Sequence, residues 1–227
     1  MGSRKLSVIE TVLTFLISST TASLADNPPR RILSGWLPDY SLARNLPTVE
    51  GNLDLIRDIS PFWYGLTGET SIKDKYALGK YTTPIEQVIS RLKANNLILL
   101  PTITDDNPKL VLANLLANPS SRTNIVQTIK ALVLKYNYDG IDLDFETFYT
   151  QDGRSSWVTL KPNWIAFIKE LSTALHDQGK LLSVTTPPDF ALETKRAGNS
   201  VYSWAEIGPL IDRLRIMAYD FSTTAPG

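Results

Sequence analysis

The segment Asp-Gly-Ile-Asp-Leu-Asp-Phe-Glu, residues 139–146, restricts the possible folds of this chain more than any other feature. Side chains alternate between the two faces of a β-strand, so its three apolar residues share one face while Asp142, Asp144 and Glu146 share the other. In a barrel the apolar face would meet the helices and the acidic face would meet the interior. Unpaired carboxylates there cost several kcal/mol each, so a purely structural sequence would avoid this arrangement. The segment therefore indicates a functional site.

The rest of the chain alternates short apolar runs with segments of helical period, which is typical of repeated βα units. We predict strands over residues 31–37, 55–66, 97–104, 140–146, 180–187 and 213–221. We predict helices after the capping box Thr83-Pro84-Ile85-Glu86, from Asn107-Pro108 onward, over residues 162–178, and from about Trp204 to Ile211 with Ser203 as the cap. Six such units predict either an open doubly wound α/β sheet or a (β/α)8 barrel that is two units short. Periodicity alone does not choose between these folds.

The composition excludes several classes of chemistry. The chain has no cysteine and a single histidine, His176, which excludes a disulfide framework, a thiolate nucleophile and Cys-rich or His-rich metal sites. Lys plus Arg and Asp plus Glu both total 23, so no net field attracts nucleic acid or an anionic membrane. Carboxylates must therefore carry any strong acid–base chemistry.

The spacing of the three carboxylates predicts how they ionise. Alternate Cα atoms of a strand lie about 6.6 Å apart, so neighbouring carboxyl groups resist joint ionisation. We predict that Glu146, at the open end of the strand, has a raised pKa and is the proton donor. Two alternatives remain open from the residues alone, namely a solvated acidic strand end and a calcium or magnesium site. The spacing lacks the glycine and the distant glutamate of an EF-hand loop.

Two ordered motifs resemble those of glycoside hydrolase family 18. Asp139, Asp142, Asp144 and Glu146 match the family's D-x-x-D-x-D-x-E motif, and Met217-Ala218-Tyr219-Asp220 is similar to its M-x-Y-D segment. The resemblance implies a (β/α)8 TIM barrel with its catalytic groups at the carboxyl ends of the strands. Because the sequence ends at Gly227 after about six βα units, we expect an incomplete barrel.

The resemblance also implies a role for each acidic residue. The family uses a retaining, substrate-assisted mechanism in which the sugar's own acetamido oxygen attacks the anomeric carbon. Glu146 would be the general acid and base, and Asp144 would orient the acetamido group. Asp142 would hold Asp144 electrostatically, and Tyr219 would donate its hydroxyl to the acetamido group. No metal or organic cofactor is implied.

The remaining candidate site residues follow from the motifs and from the aromatic residues near strand ends. Asp220 is expected to line the sugar site, with Met217 packed beneath it. Trp36 and Trp63 lie where barrel loops converge and are expected to contact glycan. The pair Asp139-Gly140 is the structural part of the motif, at the entrance of the strand.

The resemblance implies N-acetylglucosamine-containing polysaccharide as the partner, with cleavage of its β-1,4 bonds. The family's third strand often carries S-x-G-G, whereas this chain has Pro-Thr-Ile-Thr-Asp at residues 101–105, which is more similar to members that act on bacterial wall or spore-cortex glycans. Chitin and peptidoglycan both remain candidate substrates. The alternatives are a catalytically impaired, chitinase-like glycan-binding protein and a fragment of a longer hydrolase.

The N-terminus predicts export. Arg4 and Lys5 precede an apolar stretch, and Ser23 and Ala25 provide the small residues of a cleavage site. We predict a signal peptide over residues 1–25, a linker over 26–30 and the catalytic domain over 31–227. The mature protein is expected to be a secreted or cell-wall monomer that does not insert stably into the membrane and does not bind nucleic acid.

Overall fold

The computed structural model describes residues 33–79, 81–188 and 199–218. The strands in this part of the chain are β1 (Leu33–Leu37), β2 (Ile56–Thr67), β3 (Ser71–Asp74), β4 (Ile98–Leu99), β5 (Thr102–Asp105), β6 (Gly140–Asp144), β7 (Leu181–Thr186) and β8 (Arg213–Ile216). The helices are α1 (Leu42–Glu50), α2 (Ile85–Ala94), α3 (Val111–Ala117), α4 (Pro119–Lys135), α5 (Trp157–His176) and α6 (Trp204–Ile207). The strands form one sheet of order β1-β2-β5-β6-β7-β8, and each neighbouring pair on this path is parallel.

A contact between distant strands shows that this sheet is strongly curved. Three strands separate β2 from β8, so in a flat sheet the two would lie about 19 Å apart. The guanidinium of Arg215 on β8 nevertheless lies 2.8 Å from the carboxylate of Asp58 on β2. The parallel sheet therefore forms part of a (β/α) barrel, which confirms the predicted fold class and excludes the open doubly wound alternative.

Each of the six predicted strands has a counterpart, but the structure differs from the prediction in several places. The third is divided into β4 and β5 because Pro101, which has no backbone N–H, lies between them. The hairpin strand β3, antiparallel to β2, and helix α1 were not predicted. The sixth strand ends at Ile216 rather than continuing through Met217, and residues 219–221 of the prediction lie outside the described part of the chain.

Several predicted helix starts are wrong. Helix α2 begins at Ile85, and its N-cap is Pro84 with no side-chain cap bond, so Thr83 does not form the predicted capping box. Ser203 does occupy the N-cap position of α6, but its hydroxyl donates to the Glu206 carboxylate instead of receiving a backbone N–H. Helix α5 begins earlier than predicted and contains Pro162.

The helix predicted from Asn107 begins later and is divided in two. Asn107 is buried, and its side chain joins the ends of two strands instead of capping a helix: Nδ2 donates to the Leu66 carbonyl at 3.2 Å, and Oδ1 accepts from Gly68 N at 2.6 Å. The residue that caps the longer helix, α4, is Asn118, whose side chain accepts from two backbone N–H groups. The sequence signal for a cap at Asn107 reflected a tertiary hydrogen bond.

The outer face of the barrel is closed by apolar packing of α5. Trp164, Ile168, Leu171 and Leu175 form the predicted stripe on this helix and have no exposed surface. The opposite side of the sheet is the barrel interior, where the site lies. Among the described residues, no helix combines the length and apolar character needed to cross a membrane.

Gly140, at the start of β6, provides a test of how closely the strands pack. A Cβ atom at this position would lie 2.0 Å from the Leu181 carbonyl oxygen and 2.8 Å from Cδ2 of Leu100. Because β6 and β7 would have to separate, Gly140→Ala should lower the free energy of unfolding by about 1–3 kcal/mol, as measured by urea denaturation. Gly208→Ala is the control. Apart from its own chain neighbours, no described residue has an atom within 4 Å of its Cβ position, so a change of less than about 0.5 kcal/mol is expected. Equal effects of the two substitutions would contradict the predicted strand contact.

Candidate active site

The interior face of the sheet is polar and buried. The buried polar residues on it are Asp58 and Ser60 on β2, Thr102 on β5, Asp142 and Asp144 on β6, and Ser183 and Thr185 on β7. On the helix side of β6, Ile141 and Leu143 are fully buried in the apolar core. The alternation read from the sequence therefore separates core packing from a polar cavity.

Asp142 is anchored on several sides. It has 0% exposure and accepts from Thr102 Oγ1 at 3.0 Å, Thr185 Oγ1 at 3.1 Å and Trp36 Nε1 at 3.3 Å. The Arg215 guanidinium lies 3.5 Å from the same carboxylate. These donors and this cation stabilise a buried negative charge at Asp142.

Asp144 has a different environment although it lies on the same strand face. It is 4% exposed, and its Oδ1 is buried with no hydrogen-bond partner among the described residues. Burial, followed by repulsion from Glu146 and Asp142, raises the pKa of Asp144 to about 8, and Lys75 opposes this shift. The spacing argument predicted that Glu146 would have the raised pKa. The same repulsion acts on Asp144, where burial is the larger cause of the shift. The raised pKa of Glu146 stays a prediction.

Glu146 lies at the cavity on the carboxyl side of the barrel. This cavity has a volume of about 280 Å³ and is lined by Trp36, Phe62, Asp144, Glu146, Thr185 and Met217. Glu146 is partly exposed, in contrast to Asp144. A group that enters the cavity would therefore meet both carboxyl groups together.

The backbone on both sides of Glu146 is held by buried groups. The hydroxyl of Tyr202, which is fully buried, donates to the Phe145 carbonyl at 2.7 Å. The hydroxyl of Thr147 donates to the Asp105 carboxylate at the end of β5. These two contacts hold the residues directly before and after Glu146.

Not all predicted site residues come together. Trp36 is 37% exposed and lines the cavity, whereas Trp63 has 0% exposure and packs against Tyr76 in the core. Trp63 therefore has no surface for a glycan, and its predicted contact is wrong. The reason is strand alternation, because Phe62 faces the interior and its neighbour Trp63 faces the opposite way.

Met217 is buried at the cavity wall. Asp139 accepts from the Leu99 backbone N–H at 2.8 Å and pairs with Lys93 at 3.2 Å, so it ties the start of β6 to its neighbour. Tyr219 and Asp220 lie outside the described residues, and their roles stay predictions.

Several site residues were missed from the sequence. Phe62 and Thr185 line the cavity, and Arg215 pairs with Asp142. Arg213 and Arg215 alternate with Leu214 along β8, so the period of two could have placed both arginines on the interior face. No local signal indicates which buried carboxylates they pair with.

Residues 53–226 match the family model of the Glycosyl hydrolases family 18. The chain belongs to glycosyl hydrolase family 18. This match confirms the resemblance carried by the two motifs and makes the chain a chitinase-like member of a glycosidase family.

Relatives and solved structures agree with this assignment. "Probable chitinase 10" of Drosophila melanogaster is 27% identical over 111 residues, which is 48% of this chain and 5% of the fly protein. A chitinase from Chromobacterium violaceum ATCC 12472 has the same fold, with TM-score 0.66 and 19% identity over 86% of this chain and 59% of that one. The spore cortex-lytic enzyme SleL of Bacillus megaterium QM B1551 gives TM-score 0.67 and 19% identity over 88% of this chain and 44% of that one. The chain thus spans about half of the solved chains and a small part of the fly protein.

One alternative from the sequence was a metal site at the acidic strand. Within residues 33–79, 81–188 and 199–218, no three His, Cys, Asp or Glu side chains are arranged to hold a metal ion. Asp142 instead accepts hydrogen bonds from two threonine hydroxyls and an indole N–H, and a guanidinium lies beside it.

The raised pKa of Asp144 predicts a pH-dependent stability. Its pKa of about 8 in the folded chain lies above the unfolded value of about 3.9, so its contribution to stability is complete at low pH and is lost as the pH rises through about 8. The substitution Asp144→Asn removes the carboxyl group that binds this proton. Relative to the parent, the variant should gain stability by a few kcal/mol as the pH rises from about 4 to about 8, measured by urea denaturation.

The control for this experiment is Asp54→Asn, which changes an exposed carboxylate on a turn. Its stability difference from the parent should stay constant over the same pH range. A constant difference for Asp144→Asn as well would show that Asp144 does not retain its proton in the folded chain.

Proposed function

We propose that this chain hydrolyses β-1,4 glycosidic bonds of N-acetylglucosamine-containing polysaccharide with retention of configuration, and that Glu146 is the general acid and base. One observation carries the proposal. The carboxyl of Asp144 is buried, has a raised pKa and has one oxygen without a hydrogen-bond partner among the described residues. It lines the same cavity as the partly exposed Glu146. A carboxyl group in this state can accept a hydrogen bond from a substrate amide that enters the cavity.

In the first step the bond between the anomeric carbon and the leaving oxygen breaks. Glu146 gives its proton to that oxygen, and the oxygen of the sugar's acetamido group bonds to the anomeric carbon. The product is a positively charged oxazolinium ring. Asp144 orients the acetamido N–H, so the attacking oxygen is held close to the carbon before the bond forms.

The charges of the site favour this step. In the empty site the proton on Asp144 relieves its repulsion with Glu146 and Asp142. As a proton leaves for the departing oxygen, the site gains negative charge at the same time as a cation forms next to it. Burial, followed by repulsion from Glu146 and Asp142, raises the pKa of Asp144 in the empty site. The attraction of the new cation offsets that repulsion, so the carboxylates stabilise the intermediate more than the bound substrate.

In the second step water attacks the anomeric carbon on the face that the leaving group occupied. The Glu146 carboxylate takes a proton from this water, the bond to the acetamido oxygen breaks, and the original configuration is restored. Glu146 therefore returns to its starting protonation state.

Chitin and peptidoglycan are the two candidate substrates of this proposal. The aromatic rings of Trp36 and Phe62 at the cavity provide apolar surface for a pyranose ring. Both polymers offer the acetamido group that the mechanism needs, and the named relatives include a fly chitinase and a spore cortex-lytic enzyme. Release of reducing ends from chitin oligomers and from purified peptidoglycan would distinguish them.

We also propose that residues 1–25 direct export, since wall and chitin polymers lie outside the cell. The chain expressed in full should be recovered from the secreted fraction with Asp26 as its first residue, as determined by N-terminal sequencing. Recovery inside the cell with Met1 retained would contradict this proposal and leave the catalytic proposal unaffected.

Glu146→Gln tests the catalytic proposal directly. The amide keeps the size of the side chain but cannot give up a proton, so kcat should fall by about 10²–10⁴ while oligosaccharide binding is retained. Glu86→Gln on the exposed face of α2 is the matched control and should keep the parent rate. Equal rates in the parent and Glu146→Gln would refute the role of Glu146. Binding without cleavage by the parent chain would favour a glycan-binding protein.

A further inference from the structure

A buried arginine connects the candidate catalytic carboxylates to the far side of the barrel interior. The side chain of Arg215 is 11% exposed, and its Nη2 donates to Asp58 at 2.8 Å. Its Nη1 donates to the hydroxyl of Ser60 and lies 3.5 Å from Asp142 Oδ2. The guanidinium also lies 5.6 Å from the ring centre of Trp36, within the range of a cation–π contact. Arg215 therefore contacts β1, β2 and β6 from its position on β8.

The charges inside the barrel show what this arginine does. Arg213 lies 3.3 Å from Asp58, so the two arginines of β8 face two buried carboxylates, Asp58 and Asp142. These four charges compensate one another. Asp144 is the additional carboxyl on the same face, and the arginines make no ion pair with it within the described residues.

The groups around the carboxylate pair of β6 are few in the described part of the chain. Those that carry or can carry charge are Arg215 from β8, Lys75 from the segment after β3, Glu146 at the end of β6, and the buried phenol of Tyr202, which precedes α6. The neighbouring strands β5 and β7 contribute the hydroxyls of Thr102 and Thr185. Lys75 is itself paired with Asp106 at 2.8 Å. Within the described part of the chain, Arg215 is thus the cation in direct contact with the pair.

We propose that Arg215 is a positioning residue that keeps the negative charge of the Asp142–Asp144 pair on Asp142 and thereby leaves the proton on Asp144, at the cavity. The guanidinium suits this role because its planar fork binds Asp58 and Ser60 while one nitrogen faces Asp142. Its relevance to turnover rests on the proposed glycosidase function. The position of the proton can be measured without turnover.

The test compares carboxyl ¹³C chemical shifts of the full chain and its variants, with Asp142 and Asp144 assigned by their Asn substitutions. At about pH 6, Asp144 should be protonated in the parent chain and in Arg213→Gln, since Arg213 pairs with Asp58 and not with Asp142. In Arg215→Gln the charge that favours an ionised Asp142 is gone. Asp144 should then become partly ionised, and Asp142 should gain the corresponding fraction of the proton.

Arg215→Lys keeps a cation near Asp142 and should retain the parent carboxyl shifts. If Arg215→Gln does not fold, Arg215→Lys still tests the proposal. Parent-like shifts in a folded Arg215→Gln, or a displaced proton in a folded Arg215→Lys, would overturn the proposal. Neither result depends on activity, so failure of the proposed glycosidase function would be recognised separately by the absence of glycan cleavage in the parent.

A second readout applies once cleavage has been observed. Loss of the Arg215 cation makes the Asp142–Asp144 pair bind protons more tightly. The fall of kcat/KM on the acidic side of its pH profile should therefore occur about one pH unit higher in Arg215→Gln than in the parent. The limb should stay in place in Arg213→Gln and Arg215→Lys. A merely structural role would lower the rate without moving the limb, and that outcome would count against the proposal.

Discussion

The cost of burying charge in the barrel interior governs the arrangement of this protein's site. Asp58 and Asp142 are almost completely buried, and an isolated carboxylate in such a place would be strongly unfavourable. Arg213 and Arg215 reach across the interior and compensate both. Asp144 retains its proton more strongly because it is buried and lies beside Glu146 and Asp142, and within the described residues neither arginine forms an ion pair with it. The chemistry proposed for the site depends on this difference between the surroundings of Asp142 and those of Asp144.

The two faces of β6 differ, because one packs in the apolar core and the other carries the acidic residues of the candidate site. Ile141 and Leu143 pack against helices in the apolar core, so the strand has little freedom to move. Asp142 and Asp144 project from the opposite face of the same strand, and the bonds from Tyr202 and to Asp105 direct the chain around Glu146. A small set of long-range polar contacts thus orients groups that the strand alone would leave loosely defined. Such preorganisation is what acid–base chemistry on a bound sugar requires.

Strand alternation explains both the success and the failure of the aromatic predictions. It placed the acidic residues of β6 together, because a period of two is a local property of the strand. Applied to β2, the same alternation places Phe62 and Trp63 on opposite faces. The sequence does not say which of these faces is the interior, so Trp63 was predicted where Phe62 lies. The wrong helix start predicted at Asn107 had another cause. A polar residue before a proline is as consistent with a tertiary hydrogen bond as with a helix cap. Local patterns identify the type of contact and leave the partner open.

The amino-acid sequence by itself determined the βα order, the apolar stripe of α5, the acidic face of β6 and, through two motifs, the family. All of these depend on residues near one another in the chain, whose geometry follows from the repeat of a strand or helix. The tertiary structure alone decided that Trp63 belongs to the core, that Arg215 pairs with Asp142 and that Asp144 has the raised pKa. These features depend on burial and on charges from distant strands. Only the closure of the sheet brings those charges within a few ångströms of each other.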